Sequence, residues 1–385
     1  MKNQIASFYE IFGENDAKPE VYFAPGRVCL IGEHLDYNGG FVLPAALSIG
    51  IYGFVRERTD EKIVLKSSLA QKPVEFKISD SIEFNPQDGW ANYPKGVARF
   101  LREKKIELSA CEIYFDSDLP VGAGLSSSAA LEVLTAFILL SLAKVEHIDL
   151  KSTALLCKHV ENDFVGVKCG IMDQFATGLG KKNKGILLNC ATEEIQYVDI
   201  SLKNFQLVVI NTNKPRKLSS SDFNQRKSEC EFALLHLQKF RDYKHLCEAT
   251  LEDLKLFNDE ILLKRTRHLI TENRRVLSAA KSLRNENLKE FGKLMTASHR
   301  SLKNDYEVTG KELDALVSAA LDTEGCAGAR MTGAGFGGCA IALVENKKVE
   351  KFKTQVASKY RVATGLDCET YISKIGQGVR KLCAF

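Results

Sequence analysis

Residues 122–134 read GAGLSSSAALEVL: a glycine-broken loop, three serines, and then a run that only a helix accommodates. Leu131, Leu134, Ile138, Leu139 and Leu142 recur at helical spacing, and Val133, Phe137 and Leu140 fill the other side. The helix is therefore expected to be largely buried. A serine hydroxyl starts a helix well, because it accepts from an orphan N–H of the first turn. A buried helix that opens on a glycine loop also leaves N–H groups pointing outward at the positive end of its dipole, and that combination holds phosphate. Three serines exceed what one cap requires. A tight serine-capped turn without function is the plain alternative. It is weakened by a second glycine-dense segment, Gly333–Gly338 (GAGFGG), near the other end of the chain. No lysine follows the second glycine as in a GxxxxGK[ST] loop, and Ser127 stands where a dinucleotide GxGxxG carries its third glycine.

Outward from this stretch, residues 110–115 read as the strand that feeds the loop. Before it, residues 3–12 are expected as a short amphipathic helix, and short strands are expected at Val21–Phe23, Val28–Ile31, Phe41–Leu43, Ile49–Val55, Ile63–Lys66 and Val74–Ile78. A helix from Trp90 to about Leu101 precedes the feeding strand. After the serine helix come helices at Thr153–Phe164 and Ile171–Leu179, then strands at Ile186–Leu188, Ile195–Ile200 and Phe205–Ile210. From Asp222 to about Ser301 the pattern is helical and highly charged. Its basic run, Lys264–Arg275, alternates with Leu, Ile and Val and reads as a solvated helix face. Residues 331–344 read as a loop followed by a strand, Cys339–Val344, and Thr370–Ile375 as a last strand. Strands come first and helices later, so an α+β fold fits better than repeating βαβ units. A division into residues 1–205 and 206–385 is expected.

The 385 residues, 45% hydrophobic and 26% charged, describe an ordinary globular chain. A net charge of +4 is too small to argue for nucleic acid, and no apolar run approaches the ~20 residues that span a membrane. The N-terminus carries no secretory signal pattern. The eleven cysteines are odd in number, scattered and without zinc spacing. They read as reduced, buried side chains of a cytoplasmic protein.

Phosphoryl transfer needs a metal ligand, a positive group and a base on the acceptor side. Ser128 lies in the first helical turn, where its hydroxyl reaches Mg²⁺ as readily as it caps. Two carboxylates compete to join it. Glu132 is four residues on along the same helix face, which spacing favours slightly; Glu161 ends a separate helix. Asp173, an acid between apolar residues after a glycine break, is either a helix cap or a charge facing an acceptor hydroxyl. Arg27 follows Pro25-Gly26, and its planar fork suits a developing phosphoryl charge. Glu33, His34 and Asp36 crowd three polar side chains into four positions, as a polyhydroxylated ligand requires, with metal binding as the rival reading.

Three separated motifs now resemble those of galactokinases in the GHMP kinase superfamily. They are Ala24–Tyr37 (APGRVCLIGEHLDY), Leu119–Val133 (LPVGAGLSSSAALEV) and Arg330–Cys339 (RMTGAGFGGC). Gly170–Phe175, Asn211–Asn213 with Glu229–Glu231, and Ser298–Val308 are also similar, so the likeness spans nearly the whole chain. The resemblance implies two α+β domains of the GHMP kinase fold, mixed sheets with helices, and an active site in the cleft between them. It implies Asp173 as the base on an anomeric hydroxyl and Arg27 as the transition-state stabiliser. Glu33, His34 and Asp36 would hold sugar hydroxyls, with Leu35, Gly170 and Phe223 in the same sugar site. Gly122, Ala123, Gly124, Leu125, Ser126, Ser127 and Ser128 would wrap the ATP phosphates, and Ser67 and Trp90 would lie at the nucleotide base and ribose. Ser128 and Glu161 would bind Mg²⁺, against the spacing preference for Glu132.

The chain departs from the family pattern at Cys29, where Asn is usual, and at Leu35, where Thr is common. Ala329 replaces a frequent Ser, Ala334 a frequent Gly, and Phe223 a sugar-binding Tyr. The implied activity is ATP-dependent phosphorylation of the C1 hydroxyl of galactose by a monomeric cytoplasmic enzyme that meets no nucleic acid or membrane. A kinase for N-acetylgalactosamine, arabinose or another hexose is the second reading. A galactose- and ATP-binding regulator without turnover is the third, set back by the intact loop and Asp173.

Overall fold

The glycine loop joins one strand to one helix, and the first sheet is laid out around that joint. The computed structural model describes residues 2–15, 17–120, 122–214 and 220–382. Val121 of the phosphate motif and the eleventh cysteine, Cys383, lie outside them. The chain runs α1 (Lys2–Phe12), β1 (Glu20–Ile31), β2 (Phe41–Glu57), β3 (Lys62–Ser67), β4 (Val74–Lys77), α2 (Asn92–Glu103), β5 (Cys111–Ser117) and α3 (Ser127–Leu142). Next come α4 (Leu150–His159), α5 (Met172–Leu179), β6 (Lys184–Asn189), β7 (Glu194–Asp199), β8 (Phe205–Asn211) and α6 (Ser220–Leu237). The rest is α7 (Glu260–Arg284), α8 (Leu288–Ser301), α9 (Gly310–Leu321), β9 (Cys326–Thr332), β10 (Cys339–Glu345), α10 (Val349–Thr364), β11 (Glu369–Ile372) and β12 (Arg380–Lys381).

Among the described residues, eight strands form the first sheet, in the order β12-β1-β2-β5-β3-β4, with β6 paired to β2 and β7 to β6. β3 and β5 run parallel, which makes the sheet mixed. The second sheet, β11-β8-β10-β9, is antiparallel. Helix α3 packs on β1, β2 and α2, and is apolar nearly all round because it is enclosed nearly all round.

Several expected elements are longer than their apolar runs. The two short runs at 21–23 and 28–31 belong to one strand, β1, which passes through Ala24-Pro25-Gly26-Arg27 by a register shift between Pro25 and Arg27. Proline is tolerated in a strand at such an irregularity. Residues 41–43 and 49–55 likewise belong to one strand, β2. The expected loop at 331 is the end of a strand, β9, while α9 and α10 had no expectation. The basic run on α7 is not a solvated face throughout. Arg265 is buried, ion-paired with Glu229 and Glu307 at 2.7 and 2.8 Å, and bonded to the Asp305 carbonyl.

Two helices end in π-helical turns: α4 continues into Val160–Val165, and α8 into Leu302–Tyr306. Such turns shift side chains out of helical register and recur at functional sites. Here they carry Glu161 and Tyr306. The second sheet starts at Phe205, but residues 375–381 return to the first. Tyr22 pairs with Lys381, Phe23 with Arg380, and Leu47 with Ile375. The division expected at 205 is therefore crossed once. This returning tail also donates from Gly378 and Val379 to the carbonyls of Gly180 and Thr177, bracing the end of α5. The described cysteines other than Cys339 are free thiols, and no described helix is long and apolar enough to cross a membrane.

Candidate active site

The loop before α3 takes its shape from three residues in the left-handed region: Gly122 at φ +69°, Gly124 at +75° and Ser126 at +60°. Successive turns of this kind point backbone N–H groups into one concavity. Ser126 stands at the capping position, yet its hydroxyl does not cap. It donates to Asp173 Oδ2 instead. The first intrahelical bond is from Ala130 N–H to the Ser126 carbonyl, so the N–H groups before it are without an intrahelical partner. Ala123 and Leu125 bury their side chains and contribute backbone; the Leu125 carbonyl accepts from Arg27 N–H at 3.1 Å.

Asp173 lies in the first turn of α5, where the helix dipole favours a carboxylate. Arg27 reaches it with two parallel bonds, Nε to Oδ1 and Nη2 to Oδ2, each 2.6 Å. The remaining Nη1 donates to the Gly124 carbonyl at 2.9 Å. Strand β1, helix α5 and the glycine loop are thus tied through one guanidinium. The acid at 173 and the serine-rich helix mouth face each other, as the sequence requires for a phosphoryl-transfer site.

Two cavities meet at this loop. The first, of about 430 Å³, is lined by Arg27, Asp36, Asp173, Gly170, Glu161 and Phe223, among others. The second, of about 280 Å³, is lined by Ser67, Trp90 and Tyr93 above an apolar floor of Phe115 and Leu131. Gly122, Ser127 and Ser128 border both. One cavity is rich in polar side chains and the other is an aromatic slot.

The sugar-motif residues divide on inspection. Asp36 presents its carboxylate to the first cavity, held by the Tyr37 backbone N–H and raised to about pKa 6 by burial and then by the charge of Asp173. A Cβ at Gly170 would overlap this carboxylate, so a larger residue there displaces Asp36. Glu33 also borders the cavity, but Oε1 accepts from Gly333 N–H at 2.9 Å and Oε2 pairs with buried Arg330. Both ring nitrogens of His34 are committed. Burial, then the charge of His268, brings its pKa down to about 3, so the ring is neutral. The Ala334 carbonyl only accepts, at 3.2 Å, so Nε2 carries the proton, and Nδ1 accepts from the Tyr37 hydroxyl at 2.8 Å. Tyr37 in turn accepts from Tyr306 at 2.9 Å. Leu35 is fully buried and is not among the residues lining the cavity; its carbonyl accepts from Asn38 and Gly40. Phe223, at the start of α6, packs edge-on to Tyr37 and tilted against His34.

Glu161 borders the first cavity together with Ser128. Burial, then the nearby Asp173, pushes its pKa up to about 7. Gln174 Nε2 donates to Glu161 at 2.8 Å and to Glu132 at 3.4 Å. Glu132 itself is fully buried and is not among the residues lining the cavity.

Sequence reasoning did not select Tyr37, Tyr93, Asn224, Tyr306 or Arg330. Four of them carried a signal: Tyr37, Tyr306 and Arg330 fall inside quoted motifs, and Tyr93 follows Trp90 by one helical turn. Asn224 carried only its adjacency to Phe223.

Residues 6–57 match the galactokinase galactose-binding signature, residues 92–181 the N-terminal domain of GHMP kinases, and residues 279–362 the GHMP kinase C-terminal region. The galactokinase of Clostridium tetani is 45% identical over 97% of this chain and 96% of its own. That of Fusobacterium nucleatum is 45% identical over 99% and 100%. The crystal structure of Lactococcus lactis galactokinase complexed with galactose is similar at a TM-score of 0.95, with 41% identity and 99% of each chain covered. Methanococcus jannaschii mevalonate kinase, at 20% identity and a TM-score of 0.67, shares the fold alone. Full-length identity, three ordered domain matches and the joined loop, acid and arginine agree: the chain belongs to the galactokinase family of GHMP kinases.

Proposed function

We propose that the protein transfers the γ-phosphoryl group of ATP to the C1 hydroxyl of galactose, giving α-D-galactose 1-phosphate. The observation that carries this reading is the Arg27–Asp173 pair, fastened to Ser126 and Gly124 of the glycine loop where the two cavities meet. The aromatic slot of Trp90 and Tyr93 suits a nucleotide base, with Ser67 at its rim. The loop amides at Gly122–Ser128 suit its phosphates. The first cavity suits a monosaccharide, with Asp36 as the carboxylate best placed to accept from hydroxyls. Glu33, His34 and Tyr37 then act as its walls, their polar atoms already engaged, and Phe223 closes it with an apolar ring.

Asp173 accepts the C1 hydroxyl proton as the bond to phosphorus forms. Arg27 holds the carboxylate in place and sets a positive charge beside the moving phosphoryl group. Transfer is direct, with no covalent enzyme intermediate. The residues also fit Mg²⁺. Ser128 and Glu161 offer two oxygens at the loop, and no described cluster of three or more His, Cys, Asp or Glu forms a self-sufficient cage. That is the sparse protein ligation Mg²⁺ takes beside phosphates. When bound, the ion neutralises charge on the phosphate oxygens. The same reading takes the protein as a monomer in the cytoplasm, divided into residues 1–205 and 206–385, with residues 375–381 returning to the first sheet.

The test is Asp173→Asn with an ADP-release assay over a panel of sugars. Wild type is expected to prefer galactose. The variant is expected to lose about 10²–10⁴-fold in kcat while ATP affinity is kept. Retained turnover would refute the role of Asp173, and preference for another hexose would refute the substrate.

A further inference from the structure

Of the three left-handed residues in the loop before α3, two are glycine. The third, Ser126, carries a side chain there, at φ +60° and ψ +49°. That backbone crowds a Cβ against the neighbouring carbonyl, and glycine is the residue that adopts it without strain. Ser126 also stands at the N-cap of α3, where a serine hydroxyl ordinarily accepts from the first turn, yet it makes no such bond. The position therefore carries strain and gives up its cap. Outliers of this kind persist where their surroundings hold them, and they cluster at active sites.

The hydroxyl is spent on Asp173 Oδ2 instead. Arg27 already donates to both oxygens of that carboxylate, Nε to Oδ1 and Nη2 to Oδ2, at 2.6 Å each. An ionised carboxylate offers about four lone-pair sites, shared equally between its oxygens. Arg27 takes one on each oxygen, and Ser126 takes the second on Oδ2. The site that remains is on Oδ1. Ser126 and Asp173 both border the first cavity, and the Asp173 side chain is 27% exposed, so the carboxylate is within reach of a ligand there. It is held from two elements, by Arg27 of β1 and by Ser126 of the loop.

We propose that Ser126 is a positioning residue for the transfer: its hydroxyl occupies Oδ2 and so leaves Oδ1 as the oxygen that takes the proton of the sugar C1 hydroxyl. This rests on the reading of Asp173 as the base. The C1 oxygen bonds to the γ-phosphorus as the bond from that phosphorus to the β,γ-bridging oxygen breaks. The proton passes to Oδ1, and the electron pair of the broken bond stays on ADP. Because Ser126 belongs to the loop that faces the phosphates, base and phosphoryl donor are fixed to the same stretch of backbone. Such fixing counts, since a misplacement of about 1 Å costs about 10²-fold in rate.

Ser126→Gly separates the hydroxyl from the backbone, because glycine adopts the left-handed conformation freely and keeps the loop N–H. If the position served loop shape alone, glycine would do as well as serine. The variant is instead expected to lose about 10–100-fold in kcat, the scale of one hydrogen bond to a charged group. Its KM values for ATP and galactose are expected to stay within about twofold, and its thermal midpoint to hold. A kcat equal to wild type overturns the proposal. So does a loss of kcat matched by a lower midpoint and weaker ATP binding, which marks a loop that has lost its shape. Placed in the Asp173→Asn variant, Ser126→Gly is expected to cost little more, because it acts through Asp173; the same fractional loss there overturns it. A crystal structure with galactose bound is expected to show the C1 oxygen within hydrogen-bond distance of the carboxylate oxygen that faces Arg27 Nε. Contact with the oxygen that faces Ser126 overturns the assignment. Asp173→Asn alone tells the two readings apart. If it keeps full turnover, the reading of Asp173 as the base fails; if it loses turnover while Ser126→Gly does not, only the role of Ser126 fails.

Discussion

Tyr37 shows how a side chain with no free polar atom shapes the sugar cavity. Its hydroxyl gives its proton to His34 and takes one from Tyr306. Tyr37→Phe leaves a buried imidazole nitrogen and a buried phenol without their partner. The expected cost is about 1–3 kcal/mol of stability, with a raised KM for sugar and an unchanged KM for ATP, read from urea unfolding and steady-state kinetics. At this scale the sequence revealed which residues stand out better than which partners they take. Asp173 and Arg27 were legible because each breaks its surroundings: an acid in an apolar run, an arginine after Pro-Gly. The engagement of Glu33 and His34 was not legible, because their partners Gly333 and Ala334 lie 300 residues away. Nor was the redirection of Ser126, since its left-handed backbone turns a natural cap toward Asp173.

Helix α5 and the glycine break before it form the element that sets the acceptor side. Gly170 lets the chain pass against Asp36, so Gly170→Ala is expected to push that carboxylate out of place. Sugar KM should rise about tenfold, the scale of one hydrogen bond to a charged group, while nucleotide affinity stays the same. Titration of galactose and of an ATP analogue, each alone, checks this. Helices with clean periodicity, such as α3, were readable end to end. Strands were read too short wherever proline, glycine or alanine interrupted the apolar run, as at Pro25 in β1 and at residues 44–48 in β2. Strand β9 escaped notice because its sequence, CAGARMT, is small and mixed. Its packing explains that composition: a Cβ at Gly328 would overlap Gly292 of α8, so close contact replaced hydrophobic bulk.

For the molecule as a whole, buried histidines and carboxylates pull acid stability in opposite directions. Burial brings His268 down to about 4 from 6.5. Between those values the unfolded chain binds the proton and the folded one does not, so this group's contribution is lost as pH falls. Glu161 and Asp36, raised to about 7 and about 6, act oppositely: the folded state holds their protons, and stability falls as pH rises toward those values. His268→Gln isolates one member of this balance. Its stability difference from wild type is expected to shrink by about 2 kcal/mol between about pH 6.5 and about pH 5, at about 1.4 kcal/mol per unit. Urea melts at the two values check it. The α+β class was legible from strand-then-helix order, but the return of residues 375–381 to the first sheet was not, since two residues of β12 carry no pattern. That return has a consequence for biosynthesis. A growing polypeptide exposes the glycine loop, the arginine and the acid long before residue 381 leaves the ribosome. Until then β1 has an open edge and α5 has no brace, so the element that carries the acid is fastened only once residue 381 has been made.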